Sequence, residues 1–314
     1  MENYYGGKDK MKERQNYLTY AHLITPLHTG GNTQEGNLMG IAREIHTEFP
    51  YLPSASLRGK IRSELEYINQ KETDIFFGQK IKDGQQPTEG EVWFAEATLL
   101  FFPIASLNYH LVWITCPLWL ERWNRWIDKN PLNNFIMKCR EILFQKSAIV
   151  SFEASKIYLQ AALMRQSDFD KLEFQMTKEM QGLFNQNGLI QQIPGRLIIV
   201  NDEDCIALVE SGLQREVRVA LEENSKTVKG GSFRSEESIP PEAIMFFPWG
   251  MKPMQKDKNK VDNNTEEEKN ATELEANDTT NIREEIMMLL NDKLQFGGLE
   301  GLGRGWTNLL TINN

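Results

Sequence analysis

Three stretches of this sequence combine residue types that can hold phosphate. In Gly297–Gly305 (GGLEGLGRG), five glycines in nine residues let the backbone turn tightly and offer its N–H groups without side-chain obstruction, and Arg304 adds a cation. The lysine and Ser/Thr ending of a nucleotide-binding P-loop is missing, as is the strand, glycine loop and helix spacing of a dinucleotide site. Taken alone, these glycines fit a tight structural turn equally well. After Pro53, SASLRGKIR places the hydroxyls of Ser54 and Ser56 and the cations Arg58, Lys60 and Arg62 at a helix start, with Gly59 among them. Unpaired N–H groups there attract anions, although an amphipathic surface helix shows the same exposed cations. The third stretch is His28 with Thr29, Gly30 and Gly31. A lone histidine is usually structural, and here only its neighbours suggest chemistry.

The elements that must position these groups follow from pattern. Tyr17 to Leu27 reads as a strand entering a Gly/Asn/Thr-rich loop. A helix from Ser54 or Ser56 to about Gln70 has Leu57, Ile61, Leu65 and Ile68 as its apolar stripe. Glu91 to Phe102 is dense in aromatic and β-branched residues and predicts a buried strand closed by Pro103. Leu111 to Thr115 predicts another strand, and Leu118 to Ile127 a helix with Trp119, Trp123 and Trp126 along one side. Aromatic residues at that spacing are more often core than base-stacking platforms. Residues 131–211 alternate helical patterns with a short apolar run, Leu197–Val200. Arg215 to Ala220 and Ala243 to Pro248 flank a basic, glycine-containing loop with Lys226, Lys229, Gly230, Gly231 and Arg234, which reads as a hairpin able to follow a phosphate backbone or as a solvated turn. Lys252 to Thr280 lacks large apolar residues and is expected to be a disordered loop within one domain. Ile282 to Leu290 predicts a helix.

Composition sets broad limits. The chain has 314 residues, 40% of them hydrophobic and 25% charged, which suits a globular protein with a sizeable core. No run is long and apolar enough to cross a membrane, and the start lacks an apolar signal region, so a cytoplasmic location with no membrane partner is expected. Cys116, Cys139 and Cys205 are scattered and read as buried free thiols. The formal charge is −9, but six basic and ten acidic residues between Lys252 and Glu285 account for −4 of it, leaving −5 elsewhere. A local basic stripe is compatible with that balance.

In order along the chain, PLHTGG, REIHTEFPYLPSASLRGKIR, GEVWFAEATLLFFPIAS, VWITCPLWLERW, SKTVKGGSFRSEESIPPE and QFGGLEGLGRG resemble the Cmr-type RAMP backbone subunits of type III-B CRISPR effector complexes. The resemblance spans nearly the whole chain. It implies one α+β RAMP domain over residues 1–314: a modified RRM or ferredoxin-like core, a helical insertion over about 131–211, a protruding β-hairpin over about 215–248 and the acidic loop over about 252–280. It also implies copies stacked on CRISPR guide RNA, contacts with other effector subunits and display of target RNA. Carried over motif by motif, it puts His28, Gly30, Gly31, Ser54, Ser56, Arg58, Gly59, Arg62, Gly297, Gly298, Gly303 and Arg304 near the guide. Lys226, Lys229 and Glu237 fall in the hairpin region that reaches the target side.

Many members of that family cut target RNA with a divalent ion and an aspartate in a segment of the form D-L-P-I-Q-R-E. The matching stretch here runs from Leu38 to Glu44, so the acidic position falls on Leu38. Leucine neither binds a metal nor activates a hydroxyl. The expectation is therefore an RNA-binding scaffold that needs no cofactor for binding. The alternative is an active endoribonuclease using Mg2+, with Glu35 as the displaced acid and Asn37 on phosphate. A third reading, precursor-RNA processing through His28, lacks a second histidine partner.

Overall fold

Asn16–Leu23 is buried along nearly its whole length because it is a central strand. In this computed structural model it pairs antiparallel with Ile244–Met251 on one side and with Trp306–Asn313 on the other. The structure describes residues 16–31, 34–35, 38–68, 70–79, 88–174, 189–220, 222, 227–228, 233–252 and 282–313. Ile244–Met251 also pairs antiparallel with Ala97–Ser106. The helix Ser54–Ile68 lies between the first and second of these core strands in sequence, and a helical stretch at 282–289 lies between the third and fourth. Strand order and connections together give a βαββαβ unit. Beyond Ala97–Ser106 the sheet continues through His110–Thr115, Leu197–Val200, Ala148–Val150 and Phe169–Lys171, with both parallel and antiparallel pairs.

The two faces of this sheet bury separate cores, as the period of two along a strand requires. Tyr17 and Ala21 share one core with Met245, Phe247 and Trp249, covered by Leu57, Ile61 and Leu65 of the first helix and by Ile282, Ile286 and Leu290. Leu18, Tyr20, Ile244 and Phe246 face the other core, with Leu120 and Trp123 of helix Pro117–Asn124 and Phe135, Ile136 and Cys139 of helix Asn133–Leu143. Buried polar groups are paired across the sheet. Trp249 Nε1 donates to Thr19 Oγ1 at 2.9 Å, Thr19 shares a 2.8 Å hydrogen bond with Thr311, and Thr311 donates to the Leu290 carbonyl at 2.7 Å.

Several expectations shift in the folded chain. The first strand stops at Leu23, where Ile24 and Thr25 instead donate to the Trp306 carbonyl. The stripe of the first helix ends at Leu65, and Ile68 is exposed because the helix has passed the edge of the core. The strand expected over Glu91 to Phe102 is two strands, Val92–Phe94 and Ala97–Ser106, and Pro103 does not end the second. Pairing with Ile244–Met251 extends only to Phe101, so a residue without an N–H is tolerated just beyond it. Trp119 and Trp123 are buried, whereas Trp126 lies past the end of its helix and is partly exposed. The expected hairpin over 215–248 is narrower: Gln214–Arg218 pairs with Arg234–Ser238, while Ile244–Met251 belongs to the central sheet. Apart from Lys252, the acidic loop lies outside the described residues. Among the described residues no helix is long and apolar enough to cross a membrane.

Candidate functional site

Beyond the end of the first strand, three distant segments meet around His28. Leu27 and Ile239 exchange backbone hydrogen bonds at 2.9 Å, and Gly298 N–H donates to the His28 carbonyl at 2.8 Å. The His28 ring Nδ1–H donates to the Glu237 carbonyl at 2.8 Å. That bond fixes the ring and leaves Nε2 as its other polar atom, but the residue is only 5% exposed. Such a side chain anchors the loop more readily than it shuttles protons with solvent. Gly297 is required at this junction, since at φ +82° a Cβ there would sit 2.3 Å from the His28 carbonyl oxygen. On the other flank, Thr29 Oγ1 accepts from Ala42 N–H at 2.9 Å, and a Cβ on Gly31 would sit 2.9 Å from the Gly40 carbonyl oxygen. Gly30 and Gly303, in contrast, border open space, with nothing within 4 Å of a Cβ built at either.

The hairpin base carries a dense array of opposite charges. The register sets Arg215 across from Glu237 and Glu216 across from Glu236. Glu237 accepts from Arg215 at 3.0 Å and from Arg43 at 2.8 Å, and Glu210 bonds both of these arginines. Glu236 accepts from Arg304 at 2.6 Å and from Arg218 Nη2 at 3.0 Å, while Glu216 accepts from Arg304 at 2.5 Å and Arg218 at 3.5 Å. Each group therefore closes as two arginines with two glutamates, and the facing Glu216 and Glu236 are held together by shared cations. The hydrogen bond from Arg304 is the main cause of a Glu216 carboxyl held below its ordinary range. Arg304 in turn is held more firmly protonated, first by Glu216 and, against the cost of burial, by Glu236. In this arrangement Arg304 is committed to carboxylates.

The start of the first helix is divided in its loyalties. Ser54 and Ser56 are half-buried and Gly59 is exposed with nothing near its Cβ position. Lys60 reaches Glu64 at 2.8 Å and, across to the glycine-rich loop, Glu300 at 3.8 Å. Arg58 turns the other way: it donates to the Phe77 carbonyl and lies 5.4 Å from the Phe77 ring centroid. Burial, followed by repulsion from Arg62, lowers its pKa. Arg62 bonds Glu66 at 2.7 Å and Asp74 at 2.6 Å. Lys226 and Lys229 lie outside the described residues.

Leu38 is held by backbone pairing beside the hairpin. Leu38–Met39 runs parallel to Arg234–Ser238, with Leu38 beside Ser235 and Met39 beside Glu236, and Glu35 pairs with Leu38 on the other edge. The side chain of Glu35 and all of Asn37 lie outside the described residues. The nearest buried acids, Glu236 and Glu237, are already occupied by arginines. Among the described residues no group of three or more His, Cys, Asp or Glu forms a set able to hold a metal. Sequence reading missed Arg43, Arg215, Arg218, Glu216 and Glu236. For all of these but Arg43 the signal was the charged alternation of REVR set against RSEES, which becomes informative only once the two are known to pair.

The comparisons with known proteins agree along the length of the chain. A family model described as the RAMP superfamily matches residues 20–308. A relative from Pyrococcus furiosus, named CRISPR system Cmr endoribonuclease Cmr4, is 28% identical over 302 residues, covering 93% of this chain and 94% of its own. The CRISPR system CMR subunit Cmr4 of Saccharolobus solfataricus is 22% identical over 256 residues, with coverages of 72% and 81%. Among solved structures, a chain of the apo Type III-B Cmr-beta cryo-EM structure superposes with a TM-score of 0.69 at 18% identity, covering 95% of this chain and 97% of that one. The crystal structure of oligomeric Cmr4 from Pyrococcus furiosus gives a TM-score of 0.60 at 22% identity, with coverages of 96% and 99%. These superpositions establish a shared fold.

Proposed function

The chain belongs to the RAMP superfamily, and from that premise we propose that it is a CRISPR-RNA-binding backbone subunit of a type III-B effector complex. Copies of it stack along the guide RNA, contact other effector subunits and display the target RNA. The observation that carries this reading is the end-to-end likeness to the Pyrococcus furiosus relative. The geometry supports it: the loop at His28, the helix start after Pro53, the hairpin and the glycine-rich loop converge, although they are far apart in sequence. Gly30, Gly59 and Gly303 border open space there, so RNA backbone can approach the chain closely at these positions without meeting a side chain.

The same proposal holds that the subunit does not cut its target. Leu38 stands where the family's aspartate is expected, and Glu236 and Glu237 already serve arginines. A second reading has a specific observation behind it: the relative's name includes endoribonuclease, and Glu35 pairs with Leu38. In that case Glu35 is the displaced acid and Mg2+ the cofactor.

A target-RNA cleavage assay on the assembled guide complex, with magnesium or with chelator, separates the two. Wild type without cleavage and Leu38→Asp with regular magnesium-dependent cleavage is the expected result. Regular cutting by wild type overturns the scaffold reading, and its loss in Glu35→Ala identifies the displaced acid.

A further inference from the structure

On the sheet face that carries Phe246 lies a hollow of about 340 Å3 whose wall includes Glu96, Thr98, Arg122, Arg125, Trp126 and Phe246. Three kinds of recognition chemistry meet there. Trp126, 37% exposed, leans against Trp93 with ring centroids 6.2 Å apart, which makes an aromatic wall. Arg122 is a fixed cation, tied by two hydrogen bonds of 2.6 and 2.9 Å to Glu44. Arg125 and Glu96 are both exposed, border the same space, and have no side-chain partner among the described residues.

We propose that this hollow binds a guanine nucleotide, as a free mononucleotide or as an unpaired base of RNA, with the base against Trp126, its N–H edge on Glu96 and its phosphate on Arg125. A hollow of this size takes a base with its sugar and phosphate. An indole face stacks any base. Glu96 chooses among them, because an ionised carboxylate only accepts hydrogen bonds and guanine presents an imino and an amino N–H side by side to its two oxygens. Arg125 suits phosphate as a forked, permanently charged donor. An apolar protein side chain would use the indole wall and leave both charges unmatched. None of these residues belongs to the proposed guide groove, so this inference stands or falls separately from that reading.

The test is equilibrium dialysis of the full-length protein against labelled guanosine 5′-monophosphate, with uridine 5′-monophosphate and inorganic phosphate as competitors. Saturable binding is expected, displaced by unlabelled guanosine monophosphate, more weakly by uridine monophosphate and not by phosphate alone. Arg125→Ala and Trp126→Ala should each lose about tenfold in affinity, and Glu96→Gln should lose the preference for guanine. Trp126→Phe keeps a stacking ring and should retain most of the binding, which guards against misfolding of the alanine variant. Lys138→Ala, at an exposed cation outside both the hollow and the proposed guide groove, should bind normally. Absence of saturable binding, or unchanged affinity in both Arg125→Ala and Trp126→Ala, overturns the proposal. So does full displacement by phosphate alone, which would reduce the hollow to an unspecific anion site.

Discussion

The guanidinium of Arg304 meets the carboxylate of Glu236 at 2.6 Å, joining the glycine-rich loop to the base of the hairpin. Their side chains are only 8% and 5% exposed. Arg304 also bonds Glu216, and Arg218 closes the group from the opposite strand end. A residue whose surroundings in sequence suggest phosphate contact thus serves first to compensate buried acids, and the loop it anchors keeps its shape through that contact.

Removing this arginine should therefore destabilise the fold before it affects any ligand. Arg304→Ala leaves Glu236 with only Arg218, and a loss on the order of 3 kcal/mol is expected from urea unfolding. Combining it with Glu236→Gln should cost less than the two single changes added together, because the stranded charge is then gone. Additive losses would mean that the two side chains act independently.

Acid should weaken the same array. The carboxyl of Glu216 is held below its ordinary value of 4.5 by Arg304, so its charged form is favoured in the folded chain. That contribution is complete above 4.5 and is lost as pH falls through the lowered folded value. Thermal unfolding across this window should fall less steeply for Arg304→Ala than for wild type. Parallel pH profiles would contradict the assignment.

The glycines should separate into structural and contact positions. Gly297→Ala places a Cβ 2.3 Å from the His28 carbonyl oxygen, whereas Gly303→Ala meets nothing within 4 Å. Both have positive φ, so each carries a backbone cost of about 1 kcal/mol. Gly297→Ala adds a clash with backbone and should lower the unfolding midpoint substantially further. Equal midpoints for the two variants would remove the structural distinction.

Arg58 tests the guide groove. Although it bonds the Phe77 carbonyl, it retains no carboxylate partner among the described residues, unlike Arg62. Arg58→Ala is expected to weaken guide-RNA binding and reduce the salt slope by about one. Unchanged affinity and slope in filter binding would move the groove elsewhere.

The three thiols should be silent in the native protein. Burial pushes Cys139 up to about 12 and is also the largest cause of a Cys205 thiol raised well above 9.0, with Cys116 beside it adding to the shift. All three are buried. Alkylation followed by mass spectrometry should proceed only at the rate of unfolding. Rapid labelling of Cys139 at neutral pH would place it at the surface.

The sequence by itself determined what is decided within one element. The strand that begins near Tyr17, the stripe of Leu57, Ile61 and Leu65, the buried tryptophans Trp119 and Trp123 and the turn-forming glycines near Arg304 were all legible, because neighbours along a strand or helix set burial and local φ. Ile68 and Pro103 mark the limit, since element ends depend on what packs beside them. Only the tertiary structure decided that Gln214–Arg218 pairs with Arg234–Ser238, that Ile244–Met251 fills the centre of the sheet, and that Arg304 turns to Glu236 instead of outward. An arginine reads identically in sequence whether it faces phosphate or carboxylate. Its partner here is 68 residues away, and only the folded register brings the two charges together.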